Sequence, residues 1–171
     1  MTSAEDFIEF ATAESPRLRR MAFLLCGDWH TAEDLAQSTL AKMFASWHRI
    51  SKRDAAHAYA TRTLVNTYTS SQRARRSGEL PTSVVPERPA PSQAPELRMV
   101  VLDALATLSA RARAVVVLRY WMDLSVGQVA DLLGCSPGNV KSQSARALDK
   151  LRPLLAEAGG VHELKGDARH G

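Results

Sequence analysis

The sequence predicts an all-α protein of two small helical domains joined by a Pro-rich linker, the second domain carrying a helix-turn-helix. Three observations support this. Apolar residues recur at i, i+3, i+4 and i+7 through most of the chain, the period of helices that bury one side. Between Ser77 and Pro95 that pattern stops and five prolines appear. Near the end, DLLGCSPGNVKSQSARAL passes from one helix through a tight bend into another. Gly134 suits a left-handed helix end, Ser136 offers an oxygen to the open amides of the next helix, and Pro137 fits its first position.

The helices follow in order. Phe7, Ile8, Phe10, Ala11, Leu18, Met21, Ala22 and Leu25 mark a first helical stretch that ends at Gly27, with Pro16 as a point of interruption. Thr31 with Asp34 matches a cap for a second helix, with Leu35, Ala36, Thr39, Leu40, Met43, Phe44 and Trp47 as its apolar side. A third runs from Ala55 to about Arg75, with Ala58, Tyr59, Leu64, Val65 and Tyr68 inward and a basic end. Beyond the prolines, Leu97, Val100, Val101, Ala104, Leu105 and Leu108 form a fourth helix. Ala110 to Met122 forms a fifth, with Val115, Val116, Leu118 and Trp121 inward. Ser125 and Gln128 match a capping box for a sixth helix, Val126 to Leu133. In the last helix, about 100° per residue puts Val140, Ser144, Ala147, Leu148 and Leu151 on the buried side. Ser142, Ala145, Arg146 and Asp149 then face out, with Lys141 on one flank and Asn139 in the first turn. The expected division is 1–76, a linker at 77–96, 97–156, and a disordered tail at 157–171, where no apolar pattern remains.

Charge separates the surfaces. The chain carries a net +4, yet residues 1–40 hold seven acids against three arginines, whereas 41–76 hold eight Lys or Arg against Asp54 alone. An acidic surface followed by a basic one suggests two different partners, one of them a polyanion. Cys26 and Cys135 stand far apart, outside any CxxC pair, which argues against a disulfide framework or a zinc site. The acidic start MTSAEDFIEF and the lack of any apolar run of about 20 residues predict a cytoplasmic protein with no membrane insertion. No phosphate-binding loop, GxSxG elbow or dinucleotide fingerprint appears, and HELKG at His162 lacks the second histidine of a zinc protease. The chain is expected to be no enzyme and to need no cofactor. A free-standing helix-turn-helix regulator, or a module that only packs against other proteins, would share part of this pattern. The acidic helix at Ala32–Gln37 and the basic helix after it tell against the regulator, and failure to bind DNA in any context would favour the module.

AEDLAQ at Ala32–Gln37, AYATRTLVN at Ala58–Asn66 and RARAVVVLRYWMDLSVGQVADLLGCSPGNVKSQSARAL at Arg111–Leu148 resemble bacterial RNA polymerase sigma factors. The likeness is to the small extracytoplasmic-function (ECF) group, in its SigE-like branch, and spans about residues 5–155. It implies a transcription initiation factor that brings core RNA polymerase to specific promoters and helps open the DNA there. The implied partners are the polymerase, through its β′ clamp helices and β flap, and promoter DNA, with an anti-sigma factor left open. The chain would be cytoplasmic and associated with the nucleoid when bound to polymerase. The resemblance assigns Asp34, Leu35 and Gln37, with Glu33 beside them, to polymerase binding. It assigns Arg53, His57, Arg62, Asn66, Arg73, Arg75 and Arg76 to the minus-ten element and its melting. Ser136, Asn139, Lys141, Ser142, Ala145 and Arg146 fall to the minus-thirty-five element. Two departures stand out: Ser38 replaces an acid common after the glutamine, and Tyr68-Thr69-Ser70-Ser71 occupies a stretch where SigE-like relatives often carry tryptophans.

Overall fold

A computed structural model describes residues 3–50, 53–78 and 95–157, with side chains from 98 onward in the last segment. Among them the regular structure is entirely helical: α1 (Ala4–Cys26), α2 (Trp29–Ser46), α3 (Arg53–Arg76), α4 (Pro95–Ala106), α5 (Ala110–Val116), α6 (Val126–Leu133) and α7 (Pro137–Glu157). A 3-10 turn, Trp47–Arg49, closes α2, and a π-helical turn, Val117–Trp121, extends α5. The chain divides into two compact units, one built from α1–α3 and the other from α4–α7. Most of the expected linker, 79–94, and of the expected tail, 158–171, lies outside the described residues. The edges differ from expectation, because Pro95 already starts α4 and α7 runs through Glu157.

In the first unit α1 packs on both α2 and α3. Leu18, Met21, Leu25, Ala36, Thr39, Met43, Ala60, Leu64 and Val65 are buried, and the Thr39 hydroxyl is satisfied by the Leu35 carbonyl at 2.8 Å. Pro16 does not interrupt α1, although it removes the bond that the Thr12 carbonyl would otherwise accept. Phe10 and Glu14 before it and Leu18 and Met21 after it are all buried in one core, and that shared packing carries the helix through. Gly27 ends α1 as expected, at φ 77°, with its amide donating to the Phe23 carbonyl at 2.7 Å.

The start of α2 differs from the reading at Thr31. Asp28 is the cap, accepting from the Thr31 amide at 2.9 Å and the His30 amide at 3.2 Å, so the helix begins at Trp29. Phe44, expected inside, is 56% exposed, and Ile8 is exposed too. The Phe7 ring sits 5.1 Å from Phe44 and 5.2 Å from Trp47, so Phe7 takes the room over Trp47 and Phe44 rides outside it. In α3, Leu64, Val65 and Tyr68 are buried as expected, but Ala58 and Tyr59 face out while Ala56, Ala60 and Thr61 pack inward.

In the second unit Ala114, Val115, Val117 and Leu118 meet Leu105, Val129, Val140, Ala147 and Leu151 in a separate core. Trp121, expected inward, is 61% exposed. The cause is the π turn: the Met122 amide donates five residues back, to the Val117 carbonyl at 3.0 Å, and the wider turn swings Trp121 off the buried stripe. Arg119 braces the following bend by donating to the Leu124 carbonyl at 2.7 Å.

The Asp28 cap generates a pH-dependent expectation. Burial opposes its charge, but the bonds from Thr31 and His30, with the His30 charge nearby, outweigh burial and hold the carboxyl below its ordinary range. A folded carboxyl that titrates below its unfolded value stabilises the fold above the unfolded pKa of about 3.9 and loses that contribution as pH falls through the folded pKa. Asp28→Ala should therefore cost about 0.5–2 kcal/mol at neutral pH, typical of a lost N-cap. Thermal melts of the two proteins should converge on acidification.

Candidate functional site

Three surfaces gather the charged and polar side chains of the described residues. The first is the outer side of α2. Glu33 accepts from Arg19 Nη2 at 2.8 Å and from Gln37 Nε2 at 3.3 Å, which links Glu33 and Gln37 into one patch. Asp34 projects into solvent, with His30 Nε2 3.7 Å away one turn earlier. Leu35 does not share this face. It points about 100° round the helix from Asp34, is 7% exposed and belongs to the core, so it offers a partner no surface.

The second surface is on α3, where the structure separates residues that the sequence grouped. At about 100° per residue, Tyr59, Arg62, Asn66, Ser70 and Arg73 fall within about 40° of one line along the helix. Arg62, Asn66, Ser70 and Arg73 are exposed, and Tyr59 is 37% exposed. Arg76 is exposed at the helix end, whereas Arg75 is half-buried on another side. Beside this stripe an open groove of about 460 Å³ runs between α2 and α3, lined by Lys42, Ser46, Tyr59, Thr63, Asn66 and Ser70 among others. Lys42 Nζ donates to Thr67 Oγ1 at 2.8 Å, which holds the ammonium at the groove.

Arg53 and His57 lie on the other side of α3, about 180° from Asn66 for His57, and both are bonded to α1. Arg53 Nη2 meets Glu9 at 2.7 Å, and that bond and charge raise the guanidinium pKa further. His57 Nδ1 meets the Glu14 carboxylate at 2.7 Å. Glu14 is 2% exposed and also pairs with Arg17, whose Nη2 donates to Thr61 Oγ1 at 2.7 Å. Thr61 in turn donates to the His57 carbonyl at 3.1 Å. The buried carboxylate thus has the Arg17 guanidinium as an ion-pair partner and the His57 ring as a hydrogen-bonding one, which is what makes its burial tolerable.

The third surface is the helix-turn-helix. Ser125 and Gln128 form the expected capping box on α6, and Gly134 closes that helix at φ 62°. Ser136 Oγ accepts from the Asn139 amide at 3.2 Å and so opens α7. Val140, Ser144, Ala147 and Leu151 are buried, while Ser136, Asn139, Lys141, Ser142, Ala145 and Arg146 are all exposed. Asn139 Oδ1 accepts from Gln143 Nε2 at 2.5 Å, which orients the amide one turn into the helix. This surface has the form of a helix for a DNA major groove, polar and small-sided, with basic groups near its start.

Sequence reasoning missed Lys42 and placed Tyr59 in the core. The signal was present in the spacing of seven from Tyr59 to Asn66 and eleven to Ser70, which puts all three on one side of a helix. Among the described residues, no group of three or more His, Cys, Asp and Glu could hold a metal ion, and no helix is long and apolar enough to cross a membrane.

Comparison with known proteins gives this arrangement its context. Residues 10–78 match Sigma-70 region 2, and residues 98–151 match Sigma-70, region 4. The RNA polymerase sigma-E factor of Streptomyces coelicolor is 38% identical over 88% of this chain and 86% of its own. The ECF RNA polymerase sigma factor SigL of Mycobacterium tuberculosis is 34% identical over 83% of this chain and 84% of its own. The chain belongs to the ECF group of the sigma-70 family. This sigma factor is therefore a transcription initiation factor that binds RNA polymerase and recognises promoters, and it is no enzyme. A solved structure of the sigma factor RpoE from Bartonella quintana, in complex with the anti-sigma factor NepR, is similar at TM-score 0.73 and 29% identity. The match covers 90% of this chain and 98% of that one.

The Glu14 network should be measurable as stability. Glu14→Gln, which keeps the shape and removes the charge, should cost about 1.5–3 kcal/mol, the range for hydrogen bonds to charged groups. Urea unfolding of the two proteins would read it.

Proposed function

We propose a division of labour among the three surfaces. Glu33, Asp34 and Gln37 on α2 meet the β′ clamp helices of the polymerase, where an acidic and amide-bearing face pairs with Arg and Lys. Leu35 supports that face from beneath. The α3 stripe and its groove take the separated strand at the minus-ten element. Arg62, Arg73 and Arg76 meet phosphates, Asn66 pairs a base edge, and Tyr59 offers a ring on which a base stacks. Holding a base out of the stack is how this surface helps open the duplex. Arg53 and His57 contribute by fixing α3 to α1.

Lys141, Ser142, Ala145 and Arg146 read the minus-thirty-five element in the major groove, with Ser136 and Asn139 at the phosphates by the helix start. The single observation that carries this reading is that the outward face of α7 and the exposed stripe of α3 each place cations with polar or aromatic groups on one side of a helix, as nucleic acid requires. The units built on α1–α3 and on α4–α7 act as two weak modules joined by the Pro-rich segment between them. Mounting both on the polymerase raises their effective concentration at paired promoter elements. The protein works in the cytoplasm, on the nucleoid when bound to polymerase. A relative crystallised with its anti-sigma factor supports the same class of inhibitor here.

Run-off transcription with purified core polymerase on a library of random promoters tests this. Initiation should require the wild-type protein, cluster on a two-part motif and weaken with the Asp34→Ala, Gln37→Ala double variant. Folded protein that fails to stimulate competent core enzyme would end the reading. Arg146→Ala should cost about 1–3 kcal/mol and relax preference at one minus-thirty-five position. Tyr59→Ala should lose about 1–3 kcal/mol of binding to single-stranded minus-ten DNA.

A further inference from the structure

The groove between α2 and α3 is lined by one cation, and that cation comes from α2. On α3, Thr63, Asn66, Thr67 and Ser70 recur at i, i+3, i+4 and i+7, so they form one wall. On α2 the facing wall is Lys42, Ala45 and Ser46. No carboxylate lines the groove, and Ser38 and Ser46, one turn to either side of Lys42, are neutral. The Lys42 charge is therefore not cancelled within it.

Lys42 is also aimed. Its Nζ donates across from α2 to Thr67 Oγ1 on α3 at 2.8 Å. An ammonium has three N–H donors and no acceptor, so two donors remain for a ligand. Asn66 differs, because its amide carries both donors and an acceptor and can pair with the edge of any base. The hydroxyls of Tyr59, Thr63 and Ser70 likewise donate or accept. Among the polar side chains of the groove, Lys42 alone only donates.

That difference sorts the bases. Cytosine, thymine and guanine each carry a carbonyl oxygen, and adenine carries none. Adenine offers ring nitrogens instead, and its N1 and N7 flank the N6 amine, whose N–H groups would face an ammonium donor to donor. A base held in the groove with its polar edge toward Lys42 is favoured when that edge carries a carbonyl.

We propose that Lys42 is a specificity-determining residue of the minus-ten surface: its ammonium, aimed by Thr67, selects a carbonyl-bearing base in the groove and rejects adenine. The inference rests on the reading of this groove as the seat of the separated strand. Asn66 and Tyr59 hold a base there, and Lys42 decides which bases are held. Thr67 acts through Lys42 and is a positioning residue.

The test uses the full-length protein assembled with core polymerase on a promoter selected by the wild type. The minus-ten segment is left unpaired by a mismatched template strand, so that melting does not enter. Each non-template position of the segment carries adenine, cytosine, guanine or thymine in turn, and affinity is measured for each. At one position wild type should bind adenine about tenfold more weakly than the preferred base, the scale of one charge-assisted hydrogen bond. Hypoxanthine, which has a carbonyl where adenine has its amine, should recover much of that loss. Lys42→Met should bring adenine to within about twofold of the preferred base at that position and leave the ranking at the others unchanged. Thr67→Val, which keeps the shape of the side chain and the charge of Lys42 but removes the hydroxyl acceptor, should weaken the same discrimination. Lys42→Arg, which keeps a cationic donor, should retain part of it. The readout is a ratio between bases on the same protein, so a misfolded fraction does not change it.

An Lys42→Met variant that loses affinity equally for all four bases would overturn the proposal, since the ammonium would then serve a phosphate. So would weaker binding to core polymerase with the base ranking intact, and so would a wild type that tolerates adenine at every minus-ten position. Tyr59→Ala separates the two levels. If it weakens binding to the unpaired strand while Lys42→Met leaves every ranking unchanged, only the role of Lys42 falls. If neither variant changes binding to the unpaired strand, the reading of the groove falls with it.

Discussion

The first unit depends on how α3 is rotated about its own axis, and a buried charge helps set that rotation. Glu14, in the middle of α1, is bonded to Arg17 on its own helix and to His57 on α3, and Arg17 reaches Thr61 on α3. A carboxylate this deep requires partners. Arg17 supplies one from α1 itself, but His57 reaches Glu14, and Thr61 reaches Arg17, only when one side of α3 faces α1. Leu64, Val65 and Tyr68 pack in the same orientation, and the side that remains outside carries Tyr59, Arg62, Asn66 and Arg73. The exposed stripe is thus the complement of the buried network. Turning the helix by one residue would cost the His57–Glu14 and Arg17–Thr61 bonds and withdraw the stripe together.

The second unit solves a similar problem with backbone caps. The α6–α7 bend is held by Ser125 and Gln128 at one end, by Gly134 in a left-handed conformation, and by Ser136 at the start of α7. Fixed ends let a short helix such as α6 present a stable shoulder, since eight residues have little helical stability alone. The π turn before it has a different effect. By widening one turn after Val117, it sets Trp121 outside the core and lets Arg119 clasp the Leu124 carbonyl, which aims the chain into Ser125. In both units, the groups available to partners are those left over once buried helical sides and caps have been satisfied.

Legibility from sequence followed the range of the interactions. Gly27, the Ser125–Gln128 box, Gly134, Ser136 and the buried and exposed sides of α7 depend on neighbours within about four residues, and each is found where the periodicity and capping rules place it. The α2 cap went astray because two competent caps lie three residues apart. Asp28 prevails because its carboxylate collects two amides at the turn that Gly27 creates. Phe44 and Phe7 compete for the space over Trp47, and no local rule says which aromatic ring occupies it.

The sequence by itself determined the helices, the Pro-rich break between two helical groups, the helix-turn-helix and which side of α7 faces out, because the physics of those features is local. It also carried the motifs of its family. Tertiary structure decided which side of α3 faces α1, and hence that Arg53 and His57 brace the helix while Tyr59 and Lys42 border the groove. It decided that Leu35 is buried beneath the acidic face of α2. It also brought Arg111 beside Arg146 and Lys150, which lie thirty-five and more positions further along the chain. These outcomes depend on which distant side chains share limited buried space, and periodicity within one helix does not contain that information.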